Sequence, residues 1–384
     1  MELEAGDATL DPRGAQAAAR RPTTQLRAPS SVTRLNIKTL PACLAALAFV
    51  AAMGAARAQE LAVGVVAPLS GSNAILGQQV AAGARVAAGE RARITEADDA
   101  CSADGGQAAA GRLAAAKVDV VIGFLCTESI EAALPVLSRA GIPVITVGVR
   151  TDSLTDRREK TGWSVFRLGP RADAERAAAS AIIPRLWRDV PFAIVDDGTI
   201  YGRELAESVR AAAEQRALRP VFVDTFRPQL ENQIGLVGRL RRSGASAVFV
   251  GGDVEDVAVM ARDAAQLGAD LTFGGGETLR QPPETVPLVS GTIMVGLPDP
   301  ASLAPKATLD ALRDKGVVPE GYVLPAYAAM EIALQSQGMV AALANGRFQT
   351  AQGEISFDSK GDLAASPYRL FRFDGAEFLE IALP

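Results

Sequence analysis

The stretch that decides the fold reads VVIGFLCTESI and covers residues 120–130. It opens with a short apolar run that stops at Gly123, which is typical of a buried strand in a parallel sheet. Thr127 and Ser129 follow, and an apolar stripe then recurs at helical spacing, so a helix is predicted to begin at these hydroxyl residues. A strand, a tight turn and a helix N-terminus present free backbone N–H groups to an anion. The stretch therefore predicts a carboxylate site, and the alternative is that Thr127 only caps its own helix.

Strand and helix patterns alternate on both sides of this stretch. We predict strands at 61–67, 93–97, 118–122 and 143–146, and helices from about residue 74, at 106–116 and at 128–139. A regular alternation of this kind predicts a parallel, doubly wound sheet with right-handed crossovers. Ligands of such sheets lie beyond the carboxyl ends of the strands, which here are 70–73, 123–129 and 146–151.

A second series of the same kind follows a charged, loop-like stretch at 152–160 and a strand at 163–168. It has predicted helices at 173–187, 201–217, 231–243 and 254–267, and strands at 192–195, 220–224, 246–250 and 271–274. A strand at 291–295, helical regions at 303–315 and 321–343, and a tail that alternates at period two complete the chain. The predicted fold class is α/β, with two similar doubly wound parallel-sheet lobes.

Composition excludes several function classes. The 384 residues contain no histidine, which rules out Ser-His-Asp catalysis and histidine metal sites. We find no nucleophile elbow, phosphate loop or dinucleotide fingerprint, so neither a metal nor a cofactor is predicted. The net charge of −5 argues against a general affinity for nucleic acid or anionic lipid.

The N-terminal part has the pattern of an export signal. An Ala-rich apolar run at 40–56 follows Arg34 and Lys38 and ends at Ala56-Arg57-Ala58, which has the form of a signal-peptidase site. The run is too short and too weakly hydrophobic to predict a membrane span. We therefore expect residues 1–58 to be a signal region that is removed.

Seven motifs after residue 60 resemble the leucine/isoleucine/valine-binding proteins, which are periplasmic receptors of ABC importers. Their order and spacing carry the resemblance: Asp98 to Cys101, VIGFLCT at 121–127, GIPVIT at 141–146, Asp196 to Gly202, Gly251 to Asp253, Gly275 to Glu277, and FDSKGD at 357–362. The resemblance implies the type I periplasmic binding protein fold, a periplasmic location, no enzymatic activity and an inner-membrane ABC permease as partner. It further implies a monomer that captures a small polar solute, most simply an amino acid.

The resemblance also implies where the lobes divide. Residues 59–168 with 298–352 would form the first lobe, and residues 169–297 with 353–384 the second. Three crossings, near Leu168, Pro298 and Gly353, would then form a hinge on which the lobes close.

Two cysteines, Cys101 and Cys126, remain after removal of the signal region. In an exported protein such a pair predicts a disulfide, as in the resembled family. Two buried free thiols are the alternative.

Matched position by position, the family implies a ligand-binding set of Thr127, Gly148, Arg150, Tyr201, Asp253 and Glu277. Thr127 would contact the ligand carboxylate and Glu277 the ligand ammonium. Donors at one end and a fixed negative charge at the other suit a zwitterion.

Two of these positions depart from the family. Arg150 stands where a Thr is common and Asp253 where a Tyr is common, and an aromatic residue is missing near Leu76. A more polar ligand is therefore expected, for instance one with a second carboxylate for Arg150. The alternatives are an ion pair of Arg150 with Asp253 or Glu277, and capping of the following helix by Asp253.

Two rival functions remain at this stage. A ligand sensor of the same fold would use the same cleft, and its neighbouring genes would lack a permease. An exported α/β enzyme could use paired acids such as Asp196-Asp197 or Asp98-Asp99 for acid–base work.

Overall fold

The computed structural model describes residues 60–383, so the predicted signal region lies outside the described residues. A five-stranded parallel sheet with the order β2-β1-β3-β4-β5 forms the core of what we call the first lobe. Its strands are β1 (Leu61–Ala67), β2 (Ala92–Asp98), β3 (Val120–Gly123), β4 (Val144–Thr146) and β5 (Val165–Arg167). Every residue of β1 and β3 is buried, because helices cover both faces of the sheet.

The helices of the first lobe form two layers. The first layer contains α1 (Ala74–Ala88) and, from late in the chain, α12 (Val323–Ser336); the second contains α2 (Ala103–Ala115) and α3 (Thr127–Arg139). Helices α1 and α12 approach closely, since a Cβ at Gly83 would lie 2.0 Å from the carbonyl oxygen of Val323. The alanine- and glycine-rich sequence of α1 is what permits this packing.

A seven-stranded sheet with the order β14-β13-β10-β9-β8-β6-β7 forms the core of the second lobe. Its strands are β6 (Phe192–Asp196), β7 (Phe222–Thr225), β8 (Ala247–Gly251), β9 (Thr272–Gly275), β10 (Ile293–Gly296), β13 (Arg369–Phe373) and β14 (Phe378–Glu380). The last two are antiparallel additions to an otherwise parallel sheet. Helices α6 (Ala174–Leu186) and α7 (Ile200–Gln215) pack on one face, and α8 (Ile234–Arg242) and α9 (Val254–Gln266) on the other.

One loop prediction and one helix prediction needed correction. The stretch at 152–160 is not a loop, since it contains the short helices α4 (Ser153–Asp156) and α5 (Arg158–Thr161). The region at 321–343 is interrupted where Gln337 adopts a left-handed conformation with φ of 51°, so α12 ends before α13 (Val340–Asn345) begins. The remaining helices are α10 (Pro300–Leu303) and α11 (Lys306–Asp314). None of the helices described is both long and apolar enough to cross a lipid bilayer.

The tail boundary at residue 353 was placed too early. Strands β11 (Phe348–Thr350) and β12 (Gly353–Ile355) form a hairpin, and Ile355 and Phe357 belong to the first-lobe core. The rings of Phe166 and Phe357 are 5.2 Å apart. Alternation at period two predicts a strand, but it does not say which sheet the strand joins.

The chain therefore passes between the two sheets in three segments, at 168–173, 297–299 and 364–368. The first segment is tied to the residues just before the third, since Arg171 donates to Asp362 at 3.0 Å. Arg167 is completely buried and donates to Asp362 at 2.7 Å, and Asp362 also accepts from Thr155 at 2.8 Å. A buried charge pair of this kind holds only when its remaining hydrogen bonds are made.

Candidate functional site between the two sheets

The turn after β3 is built as the opening stretch of the sequence predicts. Gly123 has a φ of 116°, and a Cβ there would lie 2.0 Å from the carbonyl oxygen of Val66. Only glycine is compatible with this conformation and this approach. The turn leads directly into α3, whose first backbone N–H groups have no partner within the helix.

Thr127 is the first residue of α3 and not its cap. Cys126 occupies the N-cap position, where, within residues 60–383, no side chain makes a capping hydrogen bond. The Thr127 hydroxyl instead shares a hydrogen bond of 2.7 Å with the hydroxyl of Thr151. The capping alternative for Thr127 is therefore wrong, and two hydroxyls stand together at the N-terminus of α3.

The predicted disulfide joins Cys101 to Cys126, with the two Cα atoms 5.3 Å apart. It fastens the loop after β2 to the residue that precedes Thr127. The Ser129 hydroxyl supports the same junction by donating to Asp99 at 2.5 Å. The N-terminus of α3 is thus held by a covalent bond and a buried hydrogen bond.

The loop after β4 brings Gly148 and Arg150 to this end of the first sheet. Gly148 lies against Leu125 and Tyr322, since a Cβ there would be 2.5 Å from the Leu125 side chain and 3.1 Å from the Tyr322 ring. Arg150 is exposed, and its guanidinium donates to the hydroxyl of Tyr368 at 2.7 Å. Tyr368 immediately precedes β13, so this hydrogen bond joins the two lobes.

Glu277 stands on the opposite wall, at the start of the 3-10 turn Glu277–Arg280 that follows β9. Its carboxylate accepts from the Tyr368 hydroxyl at 3.2 Å. Burial raises the pKa of the Glu277 carboxyl; the charge of Arg150 opposes this shift and that of Glu175 adds to it. Arg150, Tyr368 and Glu277 form a chain from one lobe to the other, which we call the interlobe chain.

Tyr201, in the first turn of α7, lies beside Glu277 on the second wall. Its hydroxyl donates to Glu175 at 2.8 Å, and the backbone N–H of Glu277 donates to the same oxygen at 2.7 Å. Burial, followed by the charge of Glu175, raises the pKa of Tyr201. A Cβ at Gly276 would lie 2.2 Å from that Glu175 oxygen, so the arrangement requires glycine there.

Sequence reasoning did not identify Glu175 or Tyr368 as part of this site. Glu175 is an acid in the first turn of a helix, which is an ordinary position for one. Tyr368 lies in the tail, 218 residues from Arg150, outside the motifs that carried the resemblance. The sequence offered one signal for Glu175, which is that it follows closely on the predicted crossing near Leu168.

Asp253 has a local role. It is the N-cap of α9, and its carboxylate accepts from the backbone N–H of Asp256 at 3.2 Å. This supports the capping alternative for Asp253. For Arg150, the structure supports the link to Glu277, although it runs through Tyr368 and is not a direct ion pair.

Residues 60–377 match the family model described as periplasmic binding protein, and the chain belongs to that family. The family comprises solute-binding proteins and not enzymes. The chain is 27% identical to the Leu/Ile/Val-binding protein homolog 2 of Brucella abortus (strain 2308), with 87% of this chain and 95% of that protein covered. It is 25% identical to the leucine-, isoleucine-, valine-, threonine-, and alanine-binding protein of Pseudomonas aeruginosa, with 67% and 72% covered.

Solved structures share the fold. A protein from Rhodospirillum rubrum, described as a branched-chain amino acid ABC transporter, has a TM-score of 0.69 at 18% identity, with 84% of this chain and 99% of that one covered. A substrate-binding protein from Desulfitobacterium hafniense in complex with Leu has a TM-score of 0.57 at 19% identity, with 84% and 100% covered. A solute-binding protein from Rhodopseudomonas palustris HaA2 in complex with p-hydroxybenzoic acid has a TM-score of 0.52 at 17% identity, with 84% and 98% covered. The predicted family and fold class are confirmed.

Proposed function

We propose that this protein is the solute-binding component of an ABC importer, exported to the periplasm. It captures a small zwitterionic solute, an amino acid, between its two lobes and delivers it to an inner-membrane permease. The observation that carries the proposal is the interlobe chain. It links the loop after β4, whose Thr151 is hydrogen-bonded to Thr127 at the start of α3, to the half-buried carboxylate of Glu277 in the opposite lobe.

The first wall receives the ligand carboxylate. The free N–H groups at the start of α3 and the paired hydroxyls of Thr127 and Thr151 are donors, and they lie at the positive end of the helix dipole. The disulfide at Cys126 keeps these donors from moving apart.

The second wall receives the ligand cation. Glu277 offers a partly desolvated carboxylate, and Tyr201 provides an aromatic side of the pocket. A charge pair in such surroundings is stronger than one in water. Closure of the lobes over the ligand joins the two ends.

Arg150 adds a feature that a site for purely aliphatic amino acids does not need. Its guanidinium is exposed and reaches Tyr368, so it lies beside the cleft. A guanidinium binds carboxylates through two parallel hydrogen bonds. We expect ligands with a second carboxylate or another polar end to benefit from it.

The experiment is a thermal-shift screen of amino acids, dicarboxylates and amides, followed by calorimetry on the best ligand. A ligand that binds only the folded protein raises the melting temperature. We expect Glu277→Ala to weaken binding of a zwitterion by roughly 2–5 kcal/mol, and Thr127→Val by about 1 kcal/mol. Glu207→Gln, on the exposed pair with Arg210, is the control and should bind normally. Full affinity in Glu277→Ala would remove the acid from the site.

Import and sensing use the same cleft, so binding data do not separate them. Uptake of the identified ligand by membrane vesicles that contain the permease encoded by a neighbouring gene supports import. Binding without uptake favours a sensor.

A further inference from the structure

Residues 147–152, which we call the cleft loop, join the end of β4 to the start of α4. One side of this loop faces the candidate site. The Thr151 hydroxyl is hydrogen-bonded to that of Thr127 at 2.7 Å, and the Arg150 guanidinium donates to Tyr368 at 2.7 Å. A ligand that binds to the Thr127 and Thr151 hydroxyls therefore fixes the position of the cleft loop.

The other side of the cleft loop lies against the first segment between the sheets, at 168–173. The carbonyl of Arg150 accepts from the backbone N–H of Ala172 at 2.8 Å. The carboxylate of Asp152 accepts from the same N–H at 3.1 Å and from the N–H of Asp173 at 3.5 Å. The Asp152 side chain thus makes two of these three hydrogen bonds between the loop and the segment.

Asp152 stands at a position from which an aspartate ordinarily caps a helix. It is the N-cap residue of α4, yet within residues 60–383 its side chain makes no capping hydrogen bond. The carboxylate instead reaches the segment, where it also lies 3.4 Å from the guanidinium of Arg171. Asp152 therefore uses its side chain to bind the segment and not to stabilise its own helix.

Arg171 fastens the segment to the first lobe. Its guanidinium donates to Asp362 at 3.0 Å and to Asp156 at 3.2 Å, both in the first lobe. It also donates to Asp173 at 2.9 Å, and this hydrogen bond holds the pKa of Asp173 below its ordinary value. The segment is thus bound to the first lobe up to the residue at which the second lobe begins.

Helix α6 begins at Ala174, directly after the bound segment, and packs on the second sheet. Its first turn carries Glu175, whose carboxylate accepts from the backbone N–H of Glu277 at 2.7 Å. The direction in which α6 leaves the segment consequently affects where the second wall stands relative to the first. The cleft loop, the segment and α6 form a continuous path from one wall of the cleft to the other.

We propose that Asp152 is a positioning residue, which couples occupation of the cleft to rotation of the second lobe. The inference rests on the proposed function and specifies how closure is driven. A ligand that fixes the cleft loop also fixes the Asp152 carboxylate, and with it the N–H groups of Ala172 and Asp173 and the direction of α6. A ligand shifts a conformational equilibrium only by the free energy with which it favours one conformation, and this path supplies part of that difference.

The experiment measures affinity and closure separately. The probe is L-glutamate or L-leucine, or the compound of the thermal-shift screen that raises the melting temperature most. Calorimetry gives the affinity, and small-angle X-ray scattering at a saturating probe concentration gives closure, because rotation of the lobes onto each other lowers the radius of gyration. In Asp152→Ala we expect the affinity to fall about 10-fold, and the decrease in the radius of gyration to be about half that of wild type.

Two further variants isolate the cause. Asp152→Asn keeps an acceptor for the two N–H groups and should recover most of the affinity and of the closure. Asp156→Ala is the matched control, because Asp156 pairs with the same guanidinium but, in the described part of the chain, its carboxylate is bonded only to Arg171 and Lys360. It should bind and close as wild type does. Equal losses in Asp152→Ala and Asp156→Ala would show that the charges act only through stability, and would overturn the coupling.

Hydrogen exchange tests the coupling in the wild-type protein and so does not depend on the folding of a variant. Binding of the probe should slow exchange of the Ala172 and Asp173 N–H groups at least about 5-fold, although both donate to Asp152 and not to the probe. Unchanged exchange at these two groups overturns the coupling.

The outcomes separate this inference from the proposed function. An Asp152→Ala protein that binds the probe and closes fully overturns the coupling and leaves solute binding intact. A screen in which no amino acid, dicarboxylate or amide raises the melting temperature overturns the proposed function, and the coupling with it.

Discussion

The two walls of the cleft are built in different ways. The first wall uses the backbone of a helix N-terminus, and its turn, cap and hydroxyl (Gly123, Cys126 and Thr127) lie within five positions, although its disulfide anchor Cys101 comes from the loop after β2. The second wall collects Glu175, Glu277 and Tyr368 from three distant parts of the chain. Main-chain chemistry can thus be encoded in one short stretch, whereas a pocket of side-chain charges is assembled by the fold.

The largest effect should come from opening the disulfide that holds the first wall. Replacing Cys101 and Cys126 by Ser should lower the free energy of unfolding by roughly 3–4 kcal/mol, because the bond closes a loop across a sequence separation of 25. Denaturant titration measures this loss. Carboxylate binding should weaken as well, since the N-terminus of α3 loses its anchor.

A matched control is wild-type protein with the disulfide reduced, which should resemble the double variant. Unfolding at the same denaturant concentration in all three forms would show that the first wall is held by packing alone.

In the second wall, Glu277 is expected to lower the stability of the folded protein while it strengthens ligand binding. Burial raises the pKa of Glu277 above its ordinary value of 4.5, so folding disfavours its charged form. As the pH rises from that value through the raised pKa, the folded state retains the proton longer than the unfolded state, and stability falls. Glu277→Gln should therefore stabilise the protein at neutral pH by about 0.5–2 kcal/mol while it weakens ligand binding.

The pH dependence of the melting temperature checks the cause. The difference between Glu277→Gln and the wild-type protein should disappear below pH 4.5, where the acid is protonated in both states. A variant that is less stable than wild type at neutral pH would mean that the interlobe chain outweighs the cost of burial.

The smallest effect is expected at Asp253, and it tests whether this residue belongs to the second wall or only caps α9. Asp253→Ala should lower the free energy of unfolding by about 1 kcal/mol, because α9 loses its cap, and should leave ligand affinity unchanged. Asp253→Asn, which can still cap, should be nearly as stable as wild type. If both variants lost ligand affinity, Asp253 would have to be a ligand-binding residue.

Much of the fold could be predicted from the sequence because its elements are local. The strand of the opening stretch, predicted at 118–122, is observed at Val120–Gly123, and the helix predicted at 128–139 is Thr127–Arg139. Apolar periodicity and a glycine turn are sufficient for such assignments. The predicted tail boundary failed because a short alternating strand is compatible with either sheet.

The candidate site likewise contains residues that the sequence identifies and residues that it does not. Thr127 and its helix N-terminus could be identified from residues 120–130, and Glu277 from the glycines before it, with the resemblance as a guide. The partners of Arg150 could not be identified, since Tyr368 is 218 residues away and is linked in turn to Glu277. The Asp253 side chain could equally have faced a ligand or its own helix, and only the position of the Asp256 N–H decided.

By itself, then, the sequence determined the order of strands and helices, the glycine turn before α3 and the disulfide pair. The tertiary structure alone decided which lobe holds residues 353–357, and that Glu175 lies beside Glu277, 102 residues away. The physical reason is the sequence separation over which each kind of interaction acts. Backbone conformation and helix capping depend on neighbours within a few residues, whereas the meeting of two charged side chains depends on strand order and on packing across the whole sheet.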